Sequence, residues 1–158
     1  MRGALMLLYF FERYVQWVFG QSVKRIGGEM VCNPKYAGHG ANFDWLLRYL
    51  EPDIVLKFAE TQIIVDAKYK SYLYRKHSKS DTLRESFRND LHQLLAHTAF
   101  STEKKKHCVL VAPFSRFERS KIQYRSPFSE SKYLVLASLF LPARYLKLSI
   151  SSVNGANH

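Results

Sequence analysis

The chain has 158 residues, 47% hydrophobic and 15% aromatic, which is enough for one real core and excludes a disordered chain. Twenty-four Lys and Arg stand against 13 Asp and Glu, a net charge of +11. A surplus that large points to a polyanionic partner, nucleic acid before membrane.

Arg2 followed by Ala4 to Phe11 imitates a signal peptide, but the apolar run is short and Glu12 and Arg13 follow at once. It is also well below the ~20 residues needed to span a bilayer. An amphipathic helix fits better, with Leu8, Phe11, Val15, Val18 and Phe19 at helical spacing and Gly20 as the stop. From Gln21 to Ala41 the pattern predicts loop with one short strand around Glu29 to Asn33. Trp45 to Leu50 reads as a strand, and a hairpin follows it. Ser71 to Ser80 is polar and basic, a loop. Thr82 and Glu85 form a capping box, opening a helix to about Phe100. Its apolar face is Leu83, Phe87, Leu91, Leu94, Leu95 and Thr98. His107 to Ala112 is a buried strand stopped by Pro113. Arg116 to Phe128 is a basic segment of loop and edge strand, and Tyr133 to Leu141 is a last strand before Pro142. This order implies an α/β fold, a mixed β-sheet flanked by α-helices in a single domain over residues 1–148, with a polar tail over 149–158.

The hairpin carries the chemistry. Pro52 and Asp53 precede the apolar run Ile54 to Leu56, and the run Ile63 to Val65 leads into Asp66, Ala67, Lys68, Tyr69 and Lys70. Two acids and an ammonium at the ends of buried strands are costly unless they are used. Residues two apart on a strand share a face, so Asp66 and Lys68 point one way while Val65, Ala67 and Tyr69 point toward a core. A turn over Ala59 to Gln62 would pair Phe58 with Ile63, set Asp53 opposite Lys68 and bring Asp53, Asp66 and Lys68 to one face. Two carboxylates can seat a hard cation such as Mg²⁺, with the Ala67 carbonyl as a further ligand. A metal there polarises a phosphoryl oxygen and lowers the pKa of a bound water. Lys68 can position that water or offset charge on phosphorus. A solvated salt bridge would give the same local pattern.

The basic residues cluster. Lys70, Arg75 and Lys76 follow the hairpin, Lys104, Lys105 and Lys106 form a run, and Arg116, Arg119, Lys121 and Arg125 form another. Lys70, Arg75, Lys76 and the run Lys104 to Lys106 are the candidate phosphate contacts, interleaved in the first cluster with Tyr69, Tyr72 and Tyr74. Cys32 and Cys108 have no neighbours at zinc spacing and suggest no disulfide scaffold, so a reducing cytoplasm is expected. The sequence contains no P-loop, no nucleophile elbow and no His-Glu-x-x-His.

Four segments in order resemble the PD-(D/E)XK nuclease superfamily, and more narrowly the nuclease part of the McrC family of the McrBC 5-methylcytosine restriction system. They are Phe10 to Val15, Glu51 to Val55, Ile64 to Lys70 and Asn89 to His97. The resemblance implies a restriction-endonuclease-like fold and Mg²⁺-dependent hydrolysis of DNA phosphodiesters. By position it makes Asp53 and Asp66 metal ligands, Lys68 the catalytic lysine and Glu12 an additional acid near the metal. Gln93 would sit at the site edge and orient Lys68 or the phosphate. His92 and His97 stand where related proteins often carry tyrosine.

Members of that family usually carry, ahead of the nuclease part, a region that docks on an AAA+ GTPase ring. This chain begins almost at the nuclease helix, as a stand-alone homologue, a truncated one or a fragment would. A McrB-like GTPase is therefore the expected partner beside DNA. The alternative is a non-catalytic DNA-binding or assembly module, a remnant of such a nuclease. A basic RNA-binding protein of the ribosomal kind has only charge in its favour.

Overall fold

A computed structural model describes residues 2–37, 49–70, 79–100, 103, 105–114, 117–126 and 129–140. In chain order the elements are α1 (Arg2–Ile26), β1 (Glu29–Cys32), β2 (Tyr36–Ala37), β3 (Tyr49–Leu50), β4 (Ile54–Phe58) and β5 (Thr61–Ala67). They continue with α2 (Asp81–His97), a 3₁₀ turn (Thr98–Phe100), β6 (Lys105–Phe114), β7 (Arg119–Ser126) and β8 (Ser129–Phe140). Six strands form one mixed sheet in the order β1-β4-β5-β6-β8-β7, and β2 and β3 make a separate two-stranded ribbon. β5, β6 and β8 are parallel neighbours, while β1, β4 and β7 pair antiparallel. This is the mixed sheet flanked by helices that the element order predicts.

Both faces of the central strands are apolar because both are covered. One face packs Ile54, Leu56, Val65, Ala67, Val109 and Val111 against Phe11, Val15 and Val23 of α1. The other packs Val55, Ile64, Cys108, Leu110 and Ala112 against Leu94 of α2, with Leu83, Phe87, Leu91 and Leu95 partly buried around it. The predicted apolar face of α2 is thus the packed one, and Thr98 is fully buried beyond its end.

The structure revises several boundaries. α1 runs through Gly20, where a side chain would come within 3.1 Å of Met30 Cε, so this glycine serves close packing. The helix stops at Gly27, whose φ of 71° is left-handed, and the Gly28 N–H reaches back to the Val23 carbonyl at 3.2 Å. That is a Schellman ending. The cap of α2 is Ser80, not Thr82: its side chain accepts from the Leu83 N–H, which puts Asp81 in the first turn where the helix dipole favours an acid. β6 continues past Pro113 to Phe114. Pairing with β5 ends at Val111, so beyond it one edge of β6 no longer needs every N–H. The basic segment forms β7 at the sheet edge, as expected, and β8 starts earlier than predicted, at Ser129. Of the strand expected over Trp45 to Leu50, only Tyr49–Leu50 falls within the described residues, and the polar tail lies outside them.

The hairpin register differs by two residues from the predicted one. Phe58 pairs with Thr61 around a tight two-residue turn, and Ile54 pairs with Val65. Asp53 then falls opposite Asp66 rather than Lys68. An even shift keeps side-chain parity, so the expectation that Asp53, Asp66 and Lys68 share a face survives the change.

Candidate functional site

The site lies where β4 begins and β5 ends. β5 alternates strictly: Val65 and Ala67 face α1, whereas Ile64 faces α2, and Asp66 follows Ile64 on that side. Asp66 is 1% exposed. Asp53 stands just ahead of β4, and its Oδ2 accepts the Ala67 N–H at 2.6 Å. The side chain so extends the ladder one rung beyond the last backbone pair, and that rung draws the Asp53 carboxyl toward Asp66.

Lys68 completes the group. Its N–H donates to the Val111 carbonyl at 2.8 Å, which fixes the chain just beyond β5. Its Nζ lies 3.0 Å from Asp66 Oδ2 and donates to Gln93 Oε1 on α2 at 3.2 Å. The contact with Asp66 is a close ion pair between two largely buried groups.

Charge in this pocket is unbalanced. Burial, then the neighbouring Asp66, pushes the Asp53 carboxyl up to about 7, with Glu12 adding to the rise and the Ala67 N–H and Lys68 opposing it. Burial pulls the Lys68 ammonium down, but Asp66, Asp53 and Asp90 together hold it above the ordinary lysine value. His97 is 1% exposed at the end of α2, and burial, with Lys68 and against Asp66, lowers its affinity for a proton. Its Nδ1 has no hydrogen-bond partner among the described residues.

Glu12 approaches from α1, held through Oε1 by Asn33 Nδ2 at 2.8 Å and Gln16 Nε2 at 3.2 Å. Gln16 Nε2 also reaches Asn33 Oδ1 at 2.7 Å and the Asp53 carbonyl at 3.3 Å. The Asn33 N–H donates to that same carbonyl at 3.0 Å. α1, β1 and β4 are thereby tied together behind the acids. Asn33 holds a φ of 49°, a left-handed conformation that asparagine tolerates better than most residues.

Asp53, Asp66, Lys68 and Gln93 come together, with Glu12 close enough to act on Asp53 electrostatically. Among the described residues no three His, Cys, Asp or Glu side chains are grouped so that they could hold a metal ion, so Glu12 does not join Asp53 and Asp66 as a third ligand in this arrangement. Two hard oxygen donors from adjacent strand ends nevertheless suit Mg²⁺, which keeps several waters and needs only one or two carboxylates.

The basic candidates divide differently. Lys70 Nζ donates to both oxygens of Asp90 at 2.7 Å and to Ser86 Oγ at 3.1 Å, so its ammonium is held by the protein. Lys105 and Lys106 lie in β6 opposite Thr61 and Gln62, at the far end of β5 from Asp66. At ~3.3 Å per residue that separates them from the acids by roughly 13–17 Å along the strand. Arg75, Lys76 and Lys104 lie outside the described residues.

Sequence reasoning missed Gln16, Asn33 and Asp90. The only signals were an Asn-Pro after a strand and an acid set among Phe87, Leu91 and Leu94 on an apolar helix face. Among the described residues no helix is long and apolar enough to cross a membrane.

A family model described as "McrBC 5-methylcytosine restriction system component" matches residues 6–113, more than half of the chain and all of the site just described. No curated protein matches the chain.

Proposed function

Because this chain belongs to the family of McrBC 5-methylcytosine restriction system components, we propose that it is the DNA-cleaving part of such a system, a Mg²⁺-dependent endonuclease of the PD-(D/E)XK kind. The observation that carries this reading is the meeting of Asp53, Asp66 and Lys68 at paired strand ends, inside the segment the family model covers. Asp53 and Asp66 would hold Mg²⁺, with the Ala67 carbonyl and Glu12 beside it. Bound there, the ion supplies Lewis-acid polarisation of the phosphoryl oxygen and a more acidic water.

The chain's own residues do the rest. Lys68, kept cationic by its acidic neighbours, is placed to orient the attacking water and to offset charge growing on phosphorus. Gln93 holds the ammonium from the α2 side. Gln16 and Asn33 fix the Glu12 carboxylate and the Asp53 backbone, so both acids are set before substrate arrives. Lys106, which by strand parity shares the α2 face with Asp66, would carry a flanking phosphate, since the roughly 13 Å between them along β5 is comparable to the ~12 Å width of the major groove. Site selection would fall to a McrB-like GTPase partner.

The test is cleavage of plasmid DNA by the purified chain, with and without Mg²⁺, beside Asp66→Ala. Metal-dependent nicking lost in Asp66→Ala supports the reading. Nicking that survives that substitution, or DNA binding with no cleavage at any divalent ion concentration, favours the non-catalytic DNA-binding module instead.

A further inference from the structure

Asp90 is a carboxylate only 5% exposed, set on the apolar face of α2 one turn from Leu94. A charge in that position is costly unless it is paired. Its partner is Lys70, whose Nζ is 2.7 Å from each carboxylate oxygen and 3.1 Å from Ser86 Oγ. An ammonium has three donors, and these contacts use all three. The charge that the sequence offers to a phosphate is therefore already engaged by a buried acid.

The same short segment is held on its other side. The Lys70 N–H donates to the Lys68 carbonyl at 2.8 Å, closing a three-residue turn around Tyr69. The Tyr69 ring packs edge-on against Phe11 of α1, centroids 5.7 Å apart. The residue after Lys68 is thus pinned to one helix and the next residue to the other. Lys68 itself is pinned to β6 through Val111.

We propose that the Lys70–Asp90 ion pair is a positioning latch for Lys68. It ends β5 in a fixed turn, so that the Lys68 ammonium meets Asp66 and Gln93 without a conformational search. Lys70 acts through Lys68 and does not touch phosphate. The functional half of this inference rests on the nuclease reading; the latch itself does not.

The test uses the full chain carrying Lys70→Met together with Asp90→Leu, since replacing a buried pair by apolar groups preserves folding where removing one partner strands a charge. Amide hydrogen exchange at Lys68 and Lys70 should be at least about tenfold faster in the double variant, with the β6 amides unchanged. Unchanged protection at Lys68 and Lys70 overturns the latch, whether or not the parent chain cuts DNA. In cleavage, kcat should fall about tenfold or more while KM and the salt dependence of DNA binding stay the same. A shallower salt dependence with kcat intact overturns the proposal and returns Lys70 to phosphate contact. Lys70→Arg, which can still pair with both oxygens of Asp90, should restore the parent exchange rates and kcat. A parent chain that shows no metal-dependent cleavage counts against the nuclease reading, and the exchange measurement still decides the latch.

Discussion

Burial, then the nearby Asp66 charge and more weakly Glu12, raises the affinity of the Asp53 carboxyl for a proton. Folded Asp53 takes up a proton near pH 7, unfolded Asp53 near 3.8. Between those values the native state binds more protons, so this group's contribution to stability is complete below about pH 4 and is lost as pH rises toward 7. His97 and His107, both lowered by burial, work in the opposite sense, losing stability as pH falls below their ordinary value of 6.5. The Asp53→Asn variant separates the two effects. Its thermal midpoint at pH 7.5 should exceed that of the parent, and the decline between pH 5 and 7.5 should flatten. Millimolar Mg²⁺ should raise the parent's midpoint at pH 7.5 and leave Asp53→Asn nearly unmoved. Equal Mg²⁺ shifts in the two proteins would remove Asp53 from the proposed metal site. Tyr69 offers a second measurement at this scale, because its hydroxyl is buried with no hydrogen-bond partner among the described residues. Tyr69→Phe should be neutral or stabilising by up to about 1 kcal/mol in denaturant titration, since it removes an unpaired polar atom and keeps the ring on Phe11. A clear loss of stability would mean that the hydroxyl is satisfied after all.

Among the elements, α1 and the hairpin depend on a small joint at the end of β1. Asn33 contributes a left-handed φ, an N–H to the Asp53 carbonyl and an amide to Glu12 and Gln16. Glycine can keep the backbone conformation and lacks the amide; alanine lacks both. Asn33→Gly should therefore cost only the missing side-chain bonds, roughly 1–2 kcal/mol, and Asn33→Ala should cost about 1 kcal/mol more for the strained φ. Urea unfolding of the two variants checks the order. Alanine at least as stable as glycine would show that φ at this position is free to relax. On the nuclease reading, both variants should also need more Mg²⁺ for half-maximal cleavage, because Asp53 and Glu12 lose a shared anchor.

For the whole molecule, the nuclease reading combined with a net charge of +11 and two basic strand positions at the far end of β5 would make DNA affinity a matter of counterion release. Replacing Lys105 and Lys106 with glutamine should lower affinity for all sequences alike. It should also reduce the slope of log K against log salt by about 1, for the one phosphate on the face that Lys106 shares with Asp66. An unchanged slope would mark both residues as solvated. Neither change should alter kcat on bound DNA, since both lie roughly 13–17 Å from the acids. On the nuclease reading, the isolated chain should nick without sequence preference, and modification-dependent cutting should need a GTPase partner with GTP. Stringent cutting at defined sites by this chain alone would place targeting here instead.

Asp53, Asp66 and Lys68 were legible from the sequence because strand periodicity is two and their apolar neighbours fix which face is buried. The face of α2 was legible for the parallel reason at a period of 3.6. Even the two-residue error in register did no harm to the site, since parity and not register decides which side chains meet. Contacts between elements distant in the chain were not legible. Nothing local in Asn33 announces that it binds Glu12, 21 residues earlier. Nothing in Lys70 announces that a buried Asp90, 20 residues later, will occupy all of its donors. A free basic residue and a latched one have the same letter, and only the packing of α2 across β5 makes them different. The sequence by itself determined which residues could carry charge into the core, because that follows from pattern and chemistry. The tertiary structure alone decided which of those charges are paired with one another, because pairing depends on distances set by three elements folding around one sheet.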